Sequence, residues 1–151
     1  MKTLLLVWSS QSGNTLALAE AAAKAAGAED GVTVRMLPAL QAGIDDLLGC
    51  QALLLATPEN FGYMSGALKD FLDRTYYPAQ GRTEGLPWAL LISAGNDGSG
   101  AERAISRIAT GYGWRQALPT LCVRGQPGAE DLAAAAELGA TLAAALAIGV
   151  L

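Results

Sequence analysis

The chain has 151 residues, 52% apolar and 16% charged, and its 14 acidic and 10 basic side chains give a formal net charge of −4. That length and composition suit one globular domain, residues 1–151, and exclude a disordered chain. The acidic balance leaves no basic stripe to displace counterions from a phosphate backbone, which excludes nucleic acid and disfavours anionic membranes as partners; the absence of histidine excludes imidazole metal ligation and any histidine base.

The first apolar run, Thr3 to Trp8, has strand length. It begins like a signal peptide, but it is too short and runs into Ser9-Ser10-Gln11-Ser12 without a small-residue cleavage site. The stretch Ser9 to Thr15 then lies between this strand and an alanine-rich helix expected over Thr15 to Ala26. A helix N-terminus offers unpaired N–H groups and the positive end of the helix dipole, and the hydroxyls of Ser9, Ser10, Ser12 and Thr15 add neutral donors, so this is a phosphate seat. It contains no lysine or arginine. Such a seat suits a ligand that stays in place while its own charge changes, and it is poorly built for cleaving phosphates.

Further strands are expected over Val32 to Leu37, Ala52 to Ala56, Trp88 to Ser93 and Leu118 to Val123, the last continuing without interruption to Arg124. Runs such as Leu53-Leu54-Leu55-Ala56 do not alternate with polar residues, as expected for strands covered on both faces. Helices are expected over Ser65 to Thr75, Gly100 to Gly111 and Ala129 to Leu146, with a shorter one near Ile44 to Leu48; Gly27, Gly111 and Gly113 are candidate helix stops. Tyr76, Tyr77 and Arg82 fall after the second long helix, either lining an acceptor pocket or packing at the surface. Cys50 and Cys122 read as two reduced thiols in or beside strands. The tail Leu132 to Leu151 is apolar enough to suggest a membrane span, but Glu137, Gly139, Thr141 and many alanines fit a packing helix better, so a soluble cytoplasmic protein is expected.

Strands alternating with helices imply a parallel sheet, and right-handed crossovers divide the helices between its two faces. Ligands of such sheets bind beyond the carboxyl ends of the strands. Three loops meet that condition: Ser9 to Thr15, Thr57 to Met64 and Ser93 to Ser99.

The motif Ser10-x-Ser12-Gly13-Asn14-Thr15 resembles the FMN phosphate loop of the flavodoxin superfamily. The segment Thr57-Pro58-Glu59-Asn60-Phe61-Gly62-Tyr63-Met64, with the helix that follows it to Arg74, resembles the isoalloxazine loop of flavodoxin-like NAD(P)H-dependent reductases, including the FMN reductase and quinone reductase branch. Ser93-Ala94-Gly95-Asn96-Asp97-Gly98 stands where the second flavin-ring loop belongs. This resemblance spans the chain. It implies a three-layer α/β flavodoxin-like sandwich with a five-stranded parallel sheet in the order 2-1-3-4-5, bound FMN, and NAD(P)H as a transient substrate.

Carried onto these positions, the resemblance implies that the FMN phosphate takes N–H bonds from Gln11, Ser12, Gly13, Asn14 and Thr15 and hydroxyl or amide bonds from Ser10, Ser12, Thr15 and Asn14, with Ser9 beside them. Thr57, Pro58, Glu59, Asn60, Phe61 and Gly62 would form the first ring loop: Pro58 fixes the chain, Phe61 lends an apolar edge, and Gly62 allows a nearby peptide to meet flavin N5. Glu59 reads equally as a solvated loop carboxylate. Ser93, Ala94, Gly95, Asn96, Asp97 and Gly98 would face the pyrimidine edge, with Asp97 either repelling negative charge on the flavin or capping the next helix.

Neither a GxxxxGK(S/T) loop nor a GxGxxG helix start is present, so NAD(P)H would stack over the flavin instead of occupying its own domain. The flavin carries the chemistry, and no protein acid, base, nucleophile or metal is required. The absence of an aromatic residue from Ser93 to Ser99 and the mild net charge leave one flavin face open, which favours a reductase of quinones, flavins or other small acceptors. Its alternatives are a short-chain flavodoxin carrying electrons between protein partners and a cofactor-free interaction domain. Arg74, Arg82 and Arg103 are the candidates for the extra phosphate of NADPH, and a monomer or homodimer is expected.

Overall fold

The unbroken apolar runs become the buried middle layer. The computed structural model describes residues 1–151 and runs β1 (Lys2–Trp8), α1 (Asn14–Gly27), β2 (Val32–Pro38), α2 (Ile44–Leu48), β3 (Ala52–Asn60), β4 (Tyr63–Met64), α3 (Gly66–Ala79), β5 (Pro87–Ala94), α4 (Ser99–Tyr112), β6 (Arg115–Gln116), β7 (Leu121–Arg124) and α5 (Ala129–Ile148). The sheet order is β2-β1-β3-β5, with β6 and β7 both parallel to β5 at the far edge and β4 folded back on β3. The two short strands share the fifth position of the sheet, so the expected order 2-1-3-4-5 describes it.

That fifth position corrects the sequence expectation of one strand from Leu118 to Val123. Arg115 and Gln116 pair with Pro87 and Trp88, the chain leaves the ladder around Pro119, and pairing resumes where Leu121 meets Leu91. Proline has no N–H to give the ladder. The Gln116 side chain bridges the break, its amide donating to the Leu118 carbonyl and to Thr120 Oγ1, both at 3.1 Å.

Strand periodicity divides the core. Leu5, Val7, Leu53, Leu55, Trp88, Leu90 and Ile92 face one side with Leu68, Phe71 and Leu72 of α3 and Ile105 of α4. Leu4, Leu6, Leu54, Ala89 and Leu91 face the other with Leu18 and Ala22 of α1 and Leu138, Leu142 and Leu146 of α5. Each fully buried leucine contributes about 1.5–3 kcal/mol of transfer free energy, which makes the sheet a rigid platform for the loops at its ends. The α5 segment is the one helix long and apolar enough to cross a membrane by composition, and here it packs against α1 and the sheet.

Tyr76 and Tyr77 belong to the last turns of α3, which continues through Pro78 to Ala79. Gly111 lies inside α4, and Gly113, at φ 81°, is the residue that ends it.

Candidate functional site

Parallel pairing brings the strand ends into line. Trp8 pairs with Ala56, Pro58 with Ser93, and Ala94 with Arg124, so the loops after β1, β3, β5 and β7 emerge along one edge of the sheet.

The loop after β1 gathers free backbone donors at the start of α1. Gly13 takes φ 94° and caps α1 without a side-chain bond. Ser10 Oγ accepts from the N–H groups of Gly13 at 3.2 Å and Leu16 at 3.3 Å, closing the turn on itself. The backbone N–H groups of Gln11, Ser12, Asn14 and Thr15 find no acceptor in the chain. Thr15 is buried at the first turn of α1, and its hydroxyl makes no hydrogen bond within the chain. Orphan donors around a left-handed glycine, with no cation among them, fit a phosphate group. Ser9 stands apart from this set. It is buried, and its hydroxyl is hydrogen-bonded to that of Ser65, the N-cap of α3.

The loop after β3 is a hairpin. Glu59 pairs with Met64 and Asn60 with Tyr63, leaving Phe61 at φ 51° and Gly62 at φ 72° as its two central residues. Positive φ at both positions is the type I′ pattern that matches strand twist, and a bulky aromatic there is a strained choice. Phe61 is the one non-glycine residue of the chain at positive φ, and its side chain is fully exposed. Behind it, buried Thr57 accepts from the Ser65 N–H at 3.1 Å and donates to the Pro58 carbonyl at 2.9 Å. Ser65 Oγ accepts from Leu68 N–H at 3.1 Å, so Ser9, Thr57 and Ser65 join the first two loops through one buried hydroxyl network. The half-buried Glu59 carboxylate accepts from the Ala101 N–H at 3.0 Å.

In the loop after β5, Ser93 and Ala94 are buried as the last strand residues, while Gly95, Asn96 and Asp97 are exposed. Asp97 Oδ1 accepts from the Ser99 N–H at 3.0 Å, and that bond, more than the nearby Arg124 guanidinium, holds its carboxyl below the ordinary value. Gly98, at φ 71°, lies over Cys122, whose thiol donates to the Asp97 carbonyl at 3.4 Å. Burial first, then the Glu59 charge, pushes the Cys122 pKa up, so this thiol stays protonated beside the site.

A fourth loop, Gly125 to Gly128 after β7, also reaches this edge, and Asn14 Nδ2 meets the Gly125 carbonyl at 3.5 Å. Its glycines and proline are the signal by which the sequence announces it. A depression of about 250 Å³ lies between the first loop and the turn after β2, lined by Trp8, Ser9, Ser10, Leu40, Gln41 and Ala67 among others. Arg74 is spent on structure, donating to the Ala39 and Ala42 carbonyls at 3.0 Å each and to Asp70 at 2.6 Å. Tyr76 and Tyr77 sit at the far end of α3 and Arg82 in the turn that follows it, beside the amino ends of the strands, so they do not line an acceptor pocket at the loops. Of the arginines, Arg124 at the end of β7 and Arg103 in the second turn of α4 are exposed near the loop edge.

The profile of the family described as NADPH-dependent FMN reductase matches residues 35–126, more than half of the chain. A flavodoxin of Aquifex aeolicus (strain VF5) is 30% identical over 110 residues, which are 73% of this chain and 60% of that protein, so the match spans less than two thirds of the relative. Among solved structures, a flavodoxin from the domain Archaea superposes with a TM-score of 0.84 at 25% identity over 94% of this chain and 96% of that one. A flavodoxin, WrbA-like protein from Agrobacterium tumefaciens gives 0.78 at 19% identity over 95% and 96%, a likeness of fold. The chain belongs to the NADPH-dependent FMN reductase family of flavodoxin-like, FMN-binding proteins.

Proposed function

We propose that this FMN-binding, flavodoxin-like protein is an NADPH-dependent oxidoreductase that reduces a quinone, a free flavin or another small acceptor. The observation that carries the reading is the loop after β5: Gly95, Asn96 and Asp97 are exposed, and no aromatic side chain from Ser93 to Ser99 shields the ring position. Bound FMN would supply the electron transfer itself, taking electrons from a nicotinamide and returning them to the acceptor. The chain's part is to hold and orient. The free N–H groups of Gln11, Ser12, Asn14 and Thr15 and the Thr15 hydroxyl would hold the phosphate, at about 1.5–3 kcal/mol for each charge-assisted bond. Phe61 and Gly62 would border one side of the ring, and Gly95, Asn96 and Asp97 its polar edge. Because the seat is neutral, it adds no fixed positive charge to stabilise reduced flavin. Reduced thiols at Cys50 and Cys122 and dependence on NADPH suit the cytoplasm.

The test is turnover by the FMN-loaded protein with NADPH and a soluble quinone. Quinone-dependent consumption of NADPH supports the reading. The exposed aromatic Phe61 favours a second reading, an electron carrier that docks on another protein through its ring loops. Loaded protein that ignores NADPH, yet passes electrons to a redox protein after reduction with dithionite, would establish the carrier instead.

A further inference from the structure

Helix α4 begins without a cap of its own, since Gly98 at its N-cap carries no side chain. Two of its first N–H groups are answered from outside the helix: Ser99 by Asp97, and Ala101 by Glu59, which comes from β3 and is 42 positions away in sequence. An unpaired N–H at a helix start is costly when buried, and Ala101 is fully buried. Glu59 is also two residues ahead of Phe61, so one side chain ties the hairpin stem to α4.

The backbone is joined at the same place. A Cβ on Gly100 would fall 1.9 Å from the Gly62 carbonyl oxygen and 2.7 Å from its carbon, so the hairpin apex rests directly on the first turn of α4. A bulky residue at φ 51° persists only where its surroundings over-determine it. The hairpin pairs of Glu59 with Met64 and Asn60 with Tyr63 are one restraint, and the α4 seat is the other.

We propose that Glu59 is a positioning residue: by reaching Ala101 it seats the Phe61–Gly62 apex on α4 and so pre-forms the ring-side loop before a cofactor arrives. The reach of the side chain carries this role, not its charge. The inference rests on the FMN reading for its ligand readout alone.

Three substitutions separate the possibilities. Glu59→Gln keeps the length and an acceptor oxygen but loses the charge; Glu59→Asp keeps the charge but is one methylene short; Glu59→Ala loses both. Two quantities are read on each: amide hydrogen exchange at Phe61, Gly62 and Ala101 in FMN-free protein, and FMN affinity from quenching of FMN fluorescence. Global unfolding is followed alongside, so that affinity is compared only among folded variants. The expected result is that Glu59→Gln stays within about three-fold of the parent in both readouts, while Glu59→Asp and Glu59→Ala exchange faster and bind FMN about ten-fold more weakly. Parent-like Glu59→Asp with a weakened Glu59→Gln would make charge the cause and overturn the proposal, as would three variants that all match the parent. Failure of the parent to bind FMN would sink the functional reading instead, and the exchange pattern of the FMN-free variants would still decide the role of Glu59.

Discussion

Gly139 of α5 lies against the backbone of Ala22 in α1 so closely that a Cβ at position 139 would fall 2.1 Å from the Ala22 carbonyl oxygen. The two alanine-rich helices thus meet at backbone contact, and that contact closes one face of the sheet. Alanine normally improves a helix interior by about 1 kcal/mol over glycine. Here neither backbone can yield, so Gly139→Ala is expected to destabilise the fold by about 1–3 kcal/mol in denaturant unfolding. Gly27→Ala, at a position with open space and ordinary φ, is expected to be neutral or slightly stabilising in the same measurement.

Ser65 holds two loops at once. Its hydroxyl caps α3 through Leu68 N–H and partners the buried hydroxyl of Ser9. Ser65→Ala removes the cap and leaves Ser9 unsatisfied, with an expected loss of about 1–3 kcal/mol by thermal or chemical unfolding. Exposed Ser12→Ala, by comparison, is expected to leave stability within about 0.5 kcal/mol.

Arg74, which the sequence offers for the extra phosphate of NADPH, is fastened to the turn after β2 by two hydrogen bonds and to Asp70 of its own helix by a third. Arg74→Met is therefore expected to lower stability by about 1–3 kcal/mol and to leave the ratio of kcat/KM for NADPH over NADH unchanged. A selective fall in the NADPH value would return Arg74 to the nucleotide site.

Stability should fall in alkali. Burial pushes the Cys50 thiol from 9.0 to about 12 and, likewise, the Tyr112 phenol from 10.0 to about 12. Between the lower and upper values the unfolded chain has released protons that the native state keeps, so folding weakens as pH rises. For Cys50 the slope is about 1.4 kcal/mol per pH unit from pH 9.0 towards about 12. Cys50→Ala should flatten this part of the unfolding-versus-pH curve.

What the sequence made legible was whatever depends on local pattern. Apolar runs without alternation became the central strands, and the glycine and hydroxyl signals after β1, β3 and β5 marked loops that do share one edge. Pairings distant in sequence were not legible. Ser9 and Ser10 are chemically alike, yet one faces Ser65 inside the protein and the other turns back on its own loop. Glu59 reads equally as a ring-loop residue and as a solvated carboxylate until α4 is placed beside it, and Arg74 reads as free until Ala39 and Ala42 are. Pro119 carried its own warning, since a residue without an N–H interrupts the ladder of the fifth strand.

The most direct measurement is anaerobic mixing of the FMN-loaded protein with NADPH in a stopped-flow spectrophotometer, with no acceptor present. Prompt loss of the yellow flavin absorbance, saturating with NADPH and reversed by added quinone, is the predicted result. Absorbance that NADPH leaves unchanged while dithionite bleaches it would contradict the reductase account.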